Sequence, residues 1–189
     1  MVADPVFLTP FSRILIYFSR AMQKVINKQP VNKDLFQNIL GFAEQILAIY
    51  KELRVAPIVY GSLAYFFHTE DETLPVNDID FLVPESSFTA LMDGISKIKG
   101  VKYQKMPYHS IEVFKDGIEL DFDSIEHFLG KRPKDSTCIE INAIELQILN
   151  RDSLASIYQE ALENMPMEKR LNEKGSNYQR KLDNLRASK

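Results

Sequence analysis

Apolar residues recur at three- and four-residue steps over residues 10–28, at Phe11, Ile14, Leu15, Phe18, Met22, Val25 and Ile26, which predicts a helix with one buried stripe. Asn32 stands where it would cap a second helix. There Leu35, Ile39, Phe42, Ile46, Ile49 and Leu53 keep the same rhythm until Pro57 breaks it. The pattern then changes: "PIVY" is a short continuous apolar run, Gly61-Ser62 follows as a tight turn, and "LAYFFH" opens another helix. The polar stretch "TEDETLPVN" is a loop leading to the strand "DIDFLV", which Pro84 ends. A helix over residues 85–99 buries Phe88, Leu91, Met92, Ile95 and Ile98 and stops at Gly100. Three strands come next, "VKYQKM", "SIEVF" and "IELDFD". The last two are separated by Lys115-Asp116-Gly117, in which Asp-Gly is a strong hairpin signal. A short helix near "IEHFLG" and the basic loop "KRPKD" precede "TCIEI" and "IELQIL", which flank Asn142-Ala143 as a further hairpin. Asp152 or Ser153 caps the next helix, and the tail from Met167 reads as polar helix with frayed ends.

This succession predicts an α/β domain, a mixed and strongly twisted sheet with helices packed on it. Two helices extend it at the N-terminal side and a helical segment at the C-terminal side. At 189 residues the chain suits one domain of this kind. The net charge of −3 argues against a general polyanion binder, so nucleic acid is not the expected partner. A single cysteine, Cys138, forms no internal disulfide, and its apolar flanks suggest a buried, inert thiol in a reducing cytoplasm. No run reaches the roughly 18 to 20 apolar residues that cross a bilayer. The nearest, "FSRILIYFSRAM", is interrupted by Arg13 and Arg20 and lacks a signal-peptide cleavage pattern, so it is expected to pack on the core.

The chemistry gathers in the acidic strands. Alternation along "DIDFLV" points Asp78 and Asp80 to one face, roughly 7 Å apart, while Ile79 and Phe81 point to the core. Two like charges at that spacing resist joint ionisation, and a hard divalent cation relieves them. Alone, such a pair also fits a solvated sheet edge. Gly61-Ser62, after a buried strand and at the opening of a helix, offers free N–H groups and the positive end of a helix dipole to a phosphate. A plain glycine turn with Ser62 as N-cap is the simpler alternative. "IELDFD" then sets Glu119, Asp121 and Asp123 on one face, opposite Leu120 and Phe122. Acidic clusters on two separate strands are much harder to explain as solvated edges than one. The three histidines, His68, His109 and His127, are too widely spaced for a zinc signature. Lys131, Arg132 and Lys134 fit a solvated loop, and Lys169, Arg170, Arg180 and Lys181 on the tail fit either a solvated face or a phosphate contact.

In these motifs the chain resembles the nucleotidyltransferase fold superfamily, especially its small bacterial members similar to antibiotic nucleotidyltransferases and to the transferases of toxin–antitoxin systems. "YGSLA" matches the turn and helix, "NDIDFLV" the paired aspartates and "GIELDF" the third carboxylate strand. "INAIELQILNRDSLASIYQEAL" matches the strand and capped helix that often follow. The specificity lies in their combination and order. The resemblance covers about residues 56–161, and the first 55 residues have no counterpart in it. It implies a helical extension over 1–55, a nucleotidyltransferase-like core over 56–150 and a helical segment over 151–189 packed on that core.

The resemblance further implies Mg²⁺- or Mn²⁺-dependent transfer of a nucleoside monophosphate from a nucleoside triphosphate to a hydroxyl of a small molecule or protein. Asp78, Asp80 and Asp121 would be the catalytic and metal-binding residues, and Gly61 and Ser62 would position the triphosphate. Asp121 is chosen from its strand because Leu120 and Phe122 anchor it on both sides; Asp123 is the alternative. The interval from Ser62 to Asp78 is longer than in the most compact members, and its acidic "TEDET" would repel a triphosphate or attract a cationic acceptor. Two rival readings remain: a catalytically inactive nucleotide- or partner-binding module of the same fold, and a polynucleotide polymerase, which the acidic charge disfavours.

Overall fold

The structure, a computed structural model, describes residues 24–25, 30–130, 133, 135–170 and 172–187. In chain order its elements are β1 (Lys24–Val25), α1 (Lys33–Glu52), β2 (Ile58–Tyr60), α2 (Gly61–Thr69), β3 (Ile79–Val83), α3 (Phe88–Ile95) and β4 (Lys102–Met106). There follow β5 (Ser110–Lys115), β6 (Ile118–Ser124), α4 (Ile125–Phe128), β7 (Ser136–Ile141), β8 (Ile144–Leu149), α5 (Arg151–Asn164), α6 (Met167–Arg170) and α7 (Glu173–Ala187). The strands form one eight-stranded mixed sheet in the order β1-β7-β8-β2-β3-β6-β5-β4. Pairs β2–β8 and β3–β6 are parallel, and β2–β3 is antiparallel at its centre.

Both expected hairpins form. Asp116 and Gly117 adopt φ of 52° and 81°, and Asn142 and Ala143 adopt 52° and 64°, the paired left-handed conformations that match the twist of adjoining strands. One face of the sheet packs against α1, where Tyr50 stacks on Phe122 with ring centroids 5.5 Å apart and Phe122 on Phe81 at 4.9 Å. On the other, α2 meets α5 and α7, which also pack on each other.

The sequence reading is corrected at several elements. Most of the helix expected over 10–28 lies outside the described residues, but Lys24 and Val25 are strand, laid parallel to Ile139 and Glu140 of β7. Ladder bonds to an open sheet edge there outweigh the helical periodicity. In α1 the buried stripe runs through Phe36, Leu40, Ala43 and Tyr50 as well as Ile39, Phe42 and Ile46, while Leu35 and Leu53 are exposed. Asn32 holds the N-cap position of α1, yet its side chain makes no cap bond. Its amide instead donates to Val76 O at 2.7 Å and accepts from Val76 N at 3.1 Å, clasping the loop before β3.

The helix expected over 85–99 is a 3₁₀ turn at Glu85–Ser87 followed by α3, which ends at Ile95. Gly94 and Ser96, the latter donating its hydroxyl to Asp93 O at 2.8 Å, weaken the final turn. Asn150, rather than Asp152 or Ser153, caps α5, accepting from Ser153 N at 2.8 Å. The tail from Met167 is two helices, and α7 is no frayed end, since Lys181, Leu182 and Leu185 are buried. Among the described residues no helix is long and apolar enough to cross a membrane.

Candidate active site

Strand β2 ends at Tyr60, and α2 starts at once on Gly61. Gly61 has φ +62°, and a Cβ placed there would lie 1.7 Å from Asp80 Oδ2. Glycine is therefore required twice, for its left-handed backbone and for the carboxylate packed against it. No side chain caps α2, so the amides of its first turn remain available to an anion.

The registers explain how the acids meet. Asp80 pairs with Tyr60 across β2–β3 and with Asp121 across β3–β6, so these three side chains share one face. Asp78 precedes β3 by one residue. Ile79, Phe81, Leu120 and Phe122 take the opposite face and are fully buried. Asp123, two residues beyond Asp121, is also on the acidic face. Its carboxylate accepts the Tyr60 hydroxyl and a side-chain bond from Ser110. Asp121 Oδ1, by contrast, is buried without any hydrogen-bond partner. Of the two aspartates on β6, Asp123 is thus hydrogen-bonded within the protein, whereas Asp121 Oδ1 is not.

Burial, joined at Asp80 and Asp121 by neighbouring negative charge, raises the affinity of these groups for protons. Burial pushes Asp80 well above the usual carboxylate range, and the charges of Asp78, Asp121 and Asp123 add to it. Burial also raises Asp78, against the pull of Lys181. Asp121 is pushed up to about 7, by burial first and then by Glu119, Asp123, Asp78 and Glu112. Carboxylate oxygens of Glu112, Glu119 and Asp121 all lie within 4.8 Å of one another, a set that could hold a metal ion. Glu112 enters because β5 pairs it directly with Asp121.

Two further side chains join this cluster: Glu112, which the sequence reading did not single out, and Lys181, which it left between a solvated face and a phosphate contact. Lys181 on α7 is 9% exposed, and its Nζ donates to Ser62 Oγ at 2.9 Å. Its ammonium lies 5.4 Å from the centre of the Tyr158 ring and 5.7 Å from that of Tyr65. Burial pulls its pKa down, while Asp80 and Asp78 hold the proton on. The signal was present in the sequence: Tyr178, Lys181, Leu182 and Leu185 follow helical spacing, so the lysine stands on the apolar stripe of its helix. Ser62, expected to serve a phosphate, here holds Lys181.

Other candidates lie elsewhere. Lys131, Arg132 and Lys134 are outside the described residues, and Arg170 donates to Met165 O and Glu163 O. His109 pairs with Glu85 at 2.9 Å and stacks on His127, while His68 reaches Leu149 O at 2.8 Å. Cys138 is half-buried on β7, less enclosed than its flanks suggested.

No protein-family profile matches the chain, and no curated protein matches it. Solved structures do. The antibiotic-resistance factor ANT(2'')-Ia in complex with adenylyl-2''-tobramycin superposes with a TM-score of 0.56 at 16% identity, over 75% of this chain and 86% of that one. The lincosamide adenylyltransferase LnuA, lincomycin-bound, gives 0.51 at 13% identity, over 85% of this chain and 100% of that one. The Megavirus polyadenylate synthase also gives 0.51 at 13%, over 88% of this chain and 36% of that one. The chain is similar to these proteins in architecture and has the nucleotidyltransferase fold.

Proposed function

We propose that the protein is a divalent-metal-dependent nucleotidyltransferase that moves a nucleoside monophosphate from a nucleoside triphosphate to a hydroxyl of a small molecule or protein. The observation that carries this reading is the buried, unpartnered Oδ1 of Asp121 on the face shared with Asp80, beside a glycine that has no room for a side chain. Four buried or half-buried aspartates against the single ammonium of Lys181 leave excess negative charge, which fits a hard cation and opposes an apolar or anionic occupant. Asp78, Asp80 and Asp121 would hold the metal.

Bound there, divalent metal would supply Lewis-acid stabilisation of the attacking and leaving oxygens. The amides at the start of α2 bind and orient the triphosphate, with the Gly61 backbone free to approach it closely. The acceptor hydroxyl oxygen attacks the α-phosphorus, its bond to the bridging oxygen breaks, and pyrophosphate leaves. Asp121 Oδ1 takes the acceptor's proton. ANT(2'')-Ia and LnuA, solved with an adenylylated aminoglycoside and with lincomycin, support a small-molecule acceptor.

The test is incubation with Mg²⁺ and each labelled nucleoside triphosphate against aminoglycosides, lincosamides and cell lysate. Transfer of label is expected from wild type. In Asp80→Asn it should fall by a factor of roughly 10³ or more, with the far-UV circular dichroism unchanged, because several kcal/mol of transition-state charge stabilisation is removed at nearly constant volume. Full activity in Asp80→Asn would falsify the metal reading.

A further inference from the structure

Hydroxyl groups of the chain itself stand beside the acidic face, and they differ in freedom. Tyr60 and Ser110 are buried and both bond Asp123, which holds them in place. Tyr108, in the turn between β4 and β5, is exposed, and its hydroxyl donates to Glu112 Oε1 at 3.0 Å. Glu112 pairs with Asp121 across β5–β6 and brings a carboxylate oxygen within 4.8 Å of one on Asp121. A single carboxylate therefore separates the phenol from the group proposed above as the acceptor's base. The turn itself is anchored: His109 O accepts from Ser124 N at 3.0 Å, and the His109 ring pairs with Glu85 and stacks on His127. Rotation of the Tyr108 side chain alone then moves its hydroxyl. In the sheet, β5 flanks β6 on the side away from β3, whereas α2 follows β2 on the other side of β3. An in-line displacement sets attacking and leaving oxygens on opposite sides of the phosphorus. With the triphosphate tail at α2, the phenol comes from the side the attacking oxygen must take.

We propose that Tyr108 is an internal acceptor: without another acceptor the protein transfers a nucleoside monophosphate to its own Tyr108 hydroxyl, with Glu112 taking the phenolic proton. This rests on the function proposed above and names one acceptor for it. Tyr108 Oη attacks the α-phosphorus of the nucleoside triphosphate, the bond from that phosphorus to the bridging oxygen breaks, and pyrophosphate leaves. The product is a tyrosyl phosphodiester within the same chain. A phenol, with an ordinary pKa of about 10, is neutral near physiological pH and a weak nucleophile. The carboxylate that already accepts its hydrogen bond supplies the missing base.

The test incubates the full chain with Mg²⁺ and each α-labelled nucleoside triphosphate, with no acceptor added. Wild type should gain one nucleoside monophosphate per chain, and tandem mass spectrometry of the tryptic peptide over 106–115 should place it on Tyr108. This readout uses unmodified protein, so no failure of a variant to fold can spoil it. The initial rate per chain should not change on dilution, as an intramolecular step requires. Tyr108→Phe, a change at an exposed side chain, should lose the label with its far-UV circular dichroism unaltered. Glu112→Gln keeps an oxygen to accept the hydrogen bond but removes the base, and should slow labelling by roughly 10²-fold or more. Label on another residue, a rate per chain that rises with protein concentration, or wild-type labelling in Tyr108→Phe or Glu112→Gln overturns the proposal. Wild type that labels an added acceptor but never itself overturns this proposal alone. Wild type that labels neither removes the proposed function and this inference with it.

Discussion

The two faces of the β3–β6 pair are made from alternate residues of the same strands and have opposite physical characters. Toward α1, Ile79, Phe81, Leu120 and Phe122 are fully buried and their rings stack. Toward α2, Asp80 and Asp121 sit in register, and burial with the charges of neighbouring acids raises the proton affinity of each. One face holds the strands together, and its surplus tolerates repulsion stored on the other. Because side chains alternate, the apolar partners also fix where each carboxylate points, so a one-residue slip would place acids in the core.

That division of labour can be broken from either side. The largest effect is expected at Phe122→Ala, which should lose about 3–5 kcal/mol of stability and roughly 6–20 °C in Tm by thermal and urea unfolding. The increment in Tm given by metal and nucleotide should survive. Next comes the ligand itself: Mg²⁺ and a triphosphate at about 100 times Kd should stabilise wild type by roughly 2.7 kcal/mol, about 5–11 °C by differential scanning fluorimetry. Asp78→Asn should erase most of this gain while its ligand-free form melts no lower than wild type. Indifference of wild-type melting to Mg²⁺, Mn²⁺ and all common triphosphates would favour a partner-binding module.

The smallest effect reads the burial of one carboxylate together with the charge around it. Folded Asp121 holds its proton up to about 7, well above its unfolded value, so the folded chain carries the extra proton between roughly pH 4 and 7. The stability from this group is present below that window and is lost as pH rises through it. Relative to wild type, ligand-free Asp121→Asn should be more stable by roughly 1–2 kcal/mol at pH 8, a figure reduced for the solvent that reaches the group. The gap should close toward pH 4 in urea titrations at each pH.

Local chemistry made much of this legible in the sequence. Asp116-Gly117 and the alternation in "IELDFD" announce a hairpin and its acidic face, and "YGS" announces the turn on which Asp80 packs. The choice between Asp121 and Asp123 was open because it depends on partners distant in sequence: the Tyr60 hydroxyl and Ser110 occupy Asp123 and leave Asp121 Oδ1 bare. Lys181 was ambiguous for the same reason, since only tertiary packing brings α7 to Ser62. The N-terminal periodicity misled at Lys24–Val25 because a strand edge can recruit a segment whose own pattern reads as helix.

The Asn32 clasp has a consequence for hydrogen exchange and for the reach of Asp78. A side-chain amide that both donates to and accepts from Val76 imitates a strand neighbour for a single peptide unit. The Val76 amide, although in a loop, should therefore exchange as slowly as a ladder amide and open together with the first turn of α1. Two peptide units separate the clasped Val76 from Asp78, and the ladder of β3 begins at the next residue. With anchors no more than two residues away on either side, each residue spanning about 3.8 Å between Cα atoms, the Asp78 backbone is held close to its place in the cleft. A helix end on the far side of the domain thus acts as a mooring line for one carboxylate.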